Sequence, residues 1–272
     1  MLDRVPTVEM QRSRGTAHAA FALRRGQVRL ADLYQSGSAK LMLPRVAGPV
    51  PEAVFLNTSG GLTGGDRLAY RLDVGPQSRV LATTQTAERA YAAGDAPAEI
   101  SFAATVGAGA RLDWMPQETI LYAQSRLTRR TEIDLATDAG CLISESVVLG
   151  RRAMGEVLRA AHLTDHRMIR RAGRPVWAET FQLGPEVLAS RSPALLGDGT
   201  AMAVVCLVAQ GAEDALGPVR DGLEFGAASA WDGKCIVRLL AQDGWLLKRQ
   251  LARVLQILSG RPCPRVWQSG GY

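Results

Sequence analysis

The sequence predicts a mainly β protein with about two helices near its C-terminal end. Before residue 200, short segments alternate apolar and polar residues, and turn signals separate them about every eight to twelve residues. Almost no stretch in this part repeats its apolar residues at the helical spacing of about 3.6. This combination is typical of a layered antiparallel scaffold of many strands, with a sandwich or helicoid-like arrangement.

The strand segments follow one another from near the N-terminus to residue 183. Residues 16–24 and 27–34 are predicted to form a hairpin around Arg25 and Gly26, and residues 157–169 and 175–183 another around Ala172 and Gly173. Between the two hairpins, strands are predicted at residues 53–56, 68–74, 79–85, 100–106, 111–114, 119–122, 127–135 and 141–149.

The last third of the chain changes character. Residues 201–209 fit either a buried strand or a buried helix, and residues 212–223 fit a weak helix. Residues 245–258 predict an amphipathic helix that packs on the rest of the protein or serves as an interface. We see no linker and no internal repeat, so residues 1–272 are predicted to form a single β-rich domain.

The charge, the apolar runs and the cysteine spacing exclude several classes of protein. The net charge of +6 comes from scattered basic residues with few aromatic residues between them, which does not indicate nucleic-acid binding. The longest apolar run is too short to span a bilayer, and the first residues contain no apolar signal core. The cysteines lie far apart without a C-x-x-C pair, which predicts a reduced cytoplasmic protein: Cys141, Cys206, Cys235 and Cys263.

A glycine-rich loop between two predicted strands is the most unusual local feature. Its glycines are Gly60, Gly61, Gly64 and Gly65. A phosphate-binding loop would need Lys and Ser or Thr where Asp66 and Arg67 stand, and no helix follows. A nucleophile elbow at Ser59 would need glycine where Asn57 stands. The remaining interpretation is a packed turn that Asp66 and Arg67 tie to its neighbours.

Carboxylates are the remaining candidates for chemistry. Glu145 lies in an apolar predicted strand, where a charge is costly unless it is paired or faces water. His162 and His166 are too far apart along a strand to share a metal ion. Two roles stay open for the carboxylates: pairing with arginines, or lining an internal wet path for a divalent cation. The residues considered are Asp66, Glu118, Glu145, Glu156 and Glu179.

Six short motifs, in order along the chain, resemble those of the urease accessory protein family UreD, called UreH in some species. The most specific match is Trp114-Met115-Pro116-Gln117-Glu118-Thr119-Ile120. The others are the loop from Leu56 to Arg67, Ala82-Thr83-Thr84-Gln85 with Tyr91, Val148-Leu149-Gly150-Arg151 with Met154-Gly155-Glu156, Gly173-Arg174-Pro175-Val176-Trp177-Ala178-Glu179, and Pro264-Arg265-Val266-Trp267. Residues 58–59 and 88–90 depart from the family pattern.

The resemblance implies a protein without enzymatic activity that takes part in urease maturation. It implies a complex with UreF and the GTPase UreG on the urease apoprotein, and GTP-dependent insertion of nickel. It implies no tightly bound cofactor and no stable metal site, but nickel in transit along an internal path. By the resemblance Asp66 and Glu179 are the functional acids, and Glu145 is added because of its apolar strand. The alternative is a purely structural adaptor, with nickel travelling elsewhere.

Overall fold

A computed structural model describes residues 11–46, 48–94, 96–151, 155–156, 158–190 and 192–268. The mainly β prediction is confirmed. The strands up to the glycine-rich loop are β1 (Arg14–Arg24), β2 (Gln27–Gly37), β3 (Ala39–Met42) and β4 (Glu52–Asn57). After the loop come β5 (Arg67–Val74), β6 (Arg79–Thr84), β7 (Glu88–Ala90), β8 (Ala98–Val106), β9 (Arg111–Trp114), β10 (Thr119–Leu121), β11 (Arg126–Leu135), β12 (Gly140–Leu149), β13 (His162–Arg171) and β14 (Arg174–Leu183).

The C-terminal part adds three strands and three α-helices, two of which have seven residues or more. The elements are α1 (Pro185–Ala189), β15 (Ala201–Val208), α2 (Leu216–Gly222), β16 (Ala227–Trp231), β17 (Lys234–Ala241) and α3 (Gly244–Ser259). The segment that fitted strand or helix is the strand β15, because it pairs with β12 on one side and β17 on the other. Within the described residues, no helix has the length and apolar character needed to cross a membrane.

The strands form two sheets. The first has the order β14-β13-β11-β8-β5-β1-β2, and the second has the order β16-β17-β15-β12-β9-β6-β4-β3, with β10 joining β12 to β7. From β4 to β13 the chain passes back and forth between the sheets, so that β5, β8, β11 and β13 belong to the first and β4, β6, β9 and β12 to the second. The middle of the molecule is therefore a coil of strands, which fits the helicoid-like form that the sequence predicted.

The expected antiparallel direction is wrong for this coil. The pairs β5–β8, β8–β11 and β11–β13 are parallel, and so are β4–β6, β6–β9 and β9–β12. Between one strand of the coil and the next strand of the same sheet, the chain runs through a strand of the opposite sheet, so neighbouring strands of the coil point the same way. Antiparallel pairing holds at the margins, as in β1–β2, β13–β14 and β15–β17.

Similar four-residue turns stack at one end of the coil. They are residues 75–78, 107–110 and 136–139, and each carries the chain from the first sheet to the second. The amide of Gln77 donates to the carbonyl of Ala108 at 2.9 Å, and the amide of Gly109 donates to Asp138 Oδ1 at 2.9 Å. The expectation of no internal repeat is therefore wrong, since a strand–turn–strand unit recurs three times although only a few positions share a residue type.

Two apolar layers hold the scaffold together. The layer between the sheets contains Phe55, Tyr70, Phe102 and Trp114, and the rings of Phe102 and Trp114 stack with their centroids 3.8 Å apart. The other layer lies under α3, whose apolar face covers the second sheet, as the periodicity predicted. Its helical residues are Leu247, Leu251, Val254, Leu255 and Leu258.

Candidate functional site

Asp66 fastens the glycine-rich loop to its surroundings. Its carboxylate is buried, and its two oxygens accept hydrogen bonds from the amides of Ser13 at 2.7 Å and Thr63 at 2.8 Å. Its neighbour Arg67 points outward and forms an exposed ion pair with Glu99 at 3.3 Å. Both carboxylate oxygens of Asp66 therefore accept hydrogen bonds from the backbone, which agrees with the packed-turn interpretation of the loop.

The glycines of this loop allow another segment to come very close. A Cβ atom on Gly61 would lie 2.9 Å from the carbonyl oxygen of Arg89, and one on Gly64 would lie 2.4 Å from that of Ala96. Gly60 and Gly65 have φ angles of 78° and 85°, which L residues rarely adopt. The glycines are therefore explained by close approach and backbone geometry, without a bound phosphate.

Three cavities lie between the sheets and share lining residues. The large cavity, of about 340 Å³, is lined by apolar side chains such as Phe181 and Val204 and by charged ones. The middle cavity, of about 40 Å³, shares Glu145 with the large cavity. The loop cavity, of about 50 Å³, lies beside the glycine-rich loop and shares Tyr70, Thr84 and Glu88 with the middle cavity. The shared residues place the three cavities in a row.

A continuous series of ion pairs, called the charge chain below, runs beside this row. Its members alternate in sign: Glu145, Arg129, Asp165, Arg167, Glu179 and Arg238. The N–O distances are 2.8 Å for Arg129–Glu145, 2.6 Å for Arg129–Asp165 and 2.8 Å for Arg167–Glu179. Arg167 also pairs with Asp165, and Arg238 with Glu179.

The charge chain leads from the interior to the surface. The side chain of Glu145 is 3% exposed, that of Glu179 is 20% exposed, and that of Arg238 is 59% exposed. Both ends, Glu145 on β12 and Arg238 on β17, come from the second sheet, whereas Arg129, Asp165, Arg167 and Glu179 come from the first. The ion pairs therefore connect the two sheets twice.

Asp165, in the buried part of the charge chain, has a pKa that favours its ionised form. Burial raises the pKa of Asp165, but the guanidinium groups of Arg129 and Arg167 outweigh burial and hold this pKa below its usual range. Glu145 accepts further hydrogen bonds from the hydroxyl of Thr131 at 2.8 Å and the indole of Trp114 at 3.3 Å. These donors stabilise a carboxylate in an apolar setting.

Glu88, where the middle and loop cavities meet, was not among the carboxylates selected from sequence. Burial raises the pKa of its carboxyl group, and hydrogen bonds from the amide of Arg89 at 2.9 Å and from Asn57 Nδ2 at 3.1 Å oppose that effect. The short strand β7 places Glu88 between the middle and loop cavities. The sequence pattern predicts no strand between residues 85 and 100, so this position carried no signal.

Arg129, Asp165 and Arg167 were likewise not among the candidates selected from sequence. A signal was present, because these charges occupy inward positions of β11 and β13, where the buried neighbours are apolar residues such as Leu127 and Leu163. A charged residue at an inward position of an alternating strand indicates a buried ion pair. Of the three acids selected from sequence, Glu145 and Glu179 lie in one charge chain and Asp66 lies apart from it.

The other candidates from sequence have separate partners. Glu118 pairs with Lys248 at 3.5 Å, and Glu156 binds the Arg151 side chain at 3.0 Å; Met154 lies outside the described residues. Nδ1 of His166 lies 3.1 Å from the hydroxyl of Thr180. Across the part of the chain that the structure describes, no group of three or more His, Cys, Asp or Glu side chains is placed to hold a metal ion.

Comparison with known proteins gives matches over nearly the whole chain. The family model described as UreD urease accessory protein matches residues 13–268. A protein of Cereibacter sphaeroides named urease accessory protein UreD is 59% identical over 95% of this chain and 96% of its own length. Proteins of the same name from Paracoccus denitrificans and Rhizobium leguminosarum bv. viciae are 51% and 44% identical, over 98% and 94% of this chain and 96% of their own lengths.

Proposed function

Because the chain belongs to the UreD family of urease accessory proteins, we propose that it guides nickel to the urease apoprotein through the row of internal cavities. In this proposal it acts in the cytoplasm in a complex with UreF and the GTPase UreG, and the energy of GTP hydrolysis is supplied by UreG. The chain itself makes and breaks no covalent bond. Nickel is cargo, and no cofactor stays bound.

The observation that carries the proposal is the sharing of acidic side chains between neighbouring cavities. Glu145 lines the large and middle cavities, and Glu88 lines the middle and loop cavities. Carboxylate and water oxygens bind divalent ions less tightly than thiolates or imidazoles do, which suits transfer better than storage. Glu179 and the exposed Arg238 lie where the large cavity approaches solvent.

The test is the nickel content of urease purified after co-expression with UreF, UreG and this chain. We expect Glu179→Gln and Glu145→Gln to lower the nickel content about tenfold, because each removes a carboxylate from the row of cavities. Val204→Trp, which fills part of the large cavity, should lower it as well. Glu132→Gln is the matched control, because Glu132 forms an exposed ion pair with Arg130 on the outer face of the first sheet, to which Glu179 also belongs.

The alternative is a purely structural adaptor that organises its partners while nickel travels elsewhere. One observation favours it: the three acids selected from sequence already have partners within the protein. Asp66 binds two backbone amides, and Glu145 and Glu179 each pair with arginine. Normal nickel content with all three cavity variants, each still co-purifying with UreF, would reject the internal path and support the adaptor. Loss of co-purification would show a defect of assembly and not of transfer.

A further inference from the structure

The junction between the large and middle cavities is occupied by a positive charge that belongs to the protein. Glu145 is the carboxylate that both cavities share, and Arg129 Nη1 lies 2.8 Å from Glu145 Oε2. The other terminal nitrogen of Arg129, Nη2, lies 2.6 Å from Asp165 Oδ2. A single guanidinium therefore bridges two buried carboxylates, one of which, Glu145, lines both cavities of the proposed route.

The charges at this point are already balanced. The charge chain holds three carboxylates and three guanidinium groups, and the side chains of Glu145, Arg129, Asp165 and Arg167 are each 5% exposed or less. Adding two positive charges to a buried neutral network is costly, because desolvation is not compensated by new partners. A divalent cation at the junction therefore needs a carboxylate of its own, and Glu145 becomes available to it only when Arg129 withdraws.

The same network contains unused hydrogen-bonding atoms. Asp165 Oδ1 is buried and has no partner, and the Nε atoms of Arg129 and Arg167 are also buried and unpaired. Buried polar atoms normally have partners, so these three need an explanation. If Arg129 left Glu145, its Nε and Nη2 atoms would match both oxygens of Asp165 in the two-bond geometry that arginine and carboxylate favour. Asp165 therefore offers a second position for the same guanidinium.

We propose that Arg129 is a displaceable counter-cation that closes the junction between the two cavities, and that a passing divalent cation replaces it on Glu145 while Arg129 moves fully onto Asp165. No proton or covalent bond is exchanged in this step. Glu145 and the hydroxyl of Thr131, which lies 2.8 Å away, then face the metal together with water. The inference rests on the proposed function, since it describes how the internal route is kept closed.

Arg167 is less suited to this role. It pairs with Asp165 and Glu179, and Glu179 keeps a second partner in Arg238 when one of its contacts is lost. Glu145, in contrast, has Arg129 as its guanidinium partner, and its other contacts come from the neutral donors Thr131 and Trp114. Removing Arg129 is therefore the change that leaves a carboxylate free at the junction.

The test is nickel binding by the purified full-length chain, measured by equilibrium dialysis against nickel chloride. We expect Arg129→Gln to bind one nickel ion per chain about tenfold more tightly than the wild type, because Glu145 and Asp165 lose their shared counter-cation. The double variant Arg129→Gln with Glu145→Gln should lose that gain. Arg170→Gln is the control, because it removes a guanidinium whose pairs with Asp134 and Glu132 lie on the outer face.

A second variant covers the case in which Arg129→Gln does not fold. If circular dichroism shows that Arg129→Gln is unfolded, Arg129→Lys keeps the charge, but its single ammonium group cannot span both carboxylates as the fork of arginine does. We expect Arg129→Lys to bind nickel about threefold more tightly than the wild type. No gain in the folded variants, or a gain that survives Glu145→Gln, overturns the exchange. This result is independent of the nickel content of urease, which tests the proposed function itself.

Discussion

At the scale of single residues, acids that look alike in the sequence have different roles. Asp66 accepts from two backbone amides and fixes a loop, whereas Glu179 bridges Arg167 on β13 and Arg238 on β17. The apolar strand around Glu145 correctly indicated a buried charge that needs a partner, and the partner is Arg129. The residue type therefore predicted the requirement for a partner, and the structure identified the partner.

Asp66→Ala is predicted to destabilise the protein by about 2 kcal/mol, because the amides of Ser13 and Thr63 lose their acceptors. Urea unfolding followed by circular dichroism measures this difference. Glu99→Ala removes the exposed ion pair between Arg67 and the neighbouring strand β8, and it should change stability by less than about 0.5 kcal/mol. An unchanged stability of Asp66→Ala together with a lower nickel content of urease would contradict a purely structural role for Asp66.

At the scale of elements, the stacked strands of the coil hold the end of helix α3. Arg79 and Arg111 are register partners on β6 and β9, and both pair with the buried Asp113 at 3.0 and 2.7 Å. Their guanidinium groups also donate to the carbonyls of Ser259 and Leu258 in the last turn of α3. Positive charges are favourable at a helix C-terminus, so the coil and the helix stabilise each other.

Asp113→Ala is predicted to lower the free energy of unfolding by about 3 kcal/mol, because two partly buried guanidinium groups would lose their shared carboxylate. Hydrogen exchange should also become faster in the last turn of α3. Glu224→Ala is the control, since it removes an exposed ion pair with Arg249 on the same helix and should change little. Equal exchange rates in both variants would show that Asp113 does not position this helix end.

At the scale of the whole molecule, the charge chain and the apolar layer both join the two sheets. The folded protein has a lower pKa for Asp165 than the usual value, because of Arg129 and Arg167 and despite burial. A carboxyl group with a lowered pKa stabilises the folded state above the pKa of the unfolded chain, about 3.9. That stabilisation is lost as the pH falls through the lower pKa of the folded state.

We therefore expect the free energy of unfolding to fall when the pH decreases below about 4, and to fall less steeply in Asp165→Asn. Urea unfolding at several pH values between about 7 and 3 measures both slopes. The difference between the two curves is the relevant quantity, because the pKa values of Asp73 and Glu156 are lowered as well. Parallel curves would mean that the ionisation of Asp165 does not contribute to stability.

The sequence by itself determined the strand-rich class, the amphipathic helix α3 and the family, because each depends on local patterns or ordered motifs. Alternation along a strand shows which side chains face inward, but it does not show which strand lies next to it. Only the tertiary structure decided that the coil is parallel, which places Arg129 of β11 next to Asp165 of β13. It likewise decided that Glu145 of the opposite sheet meets Arg129, because residues distant in sequence become neighbours only when the two sheets pack together.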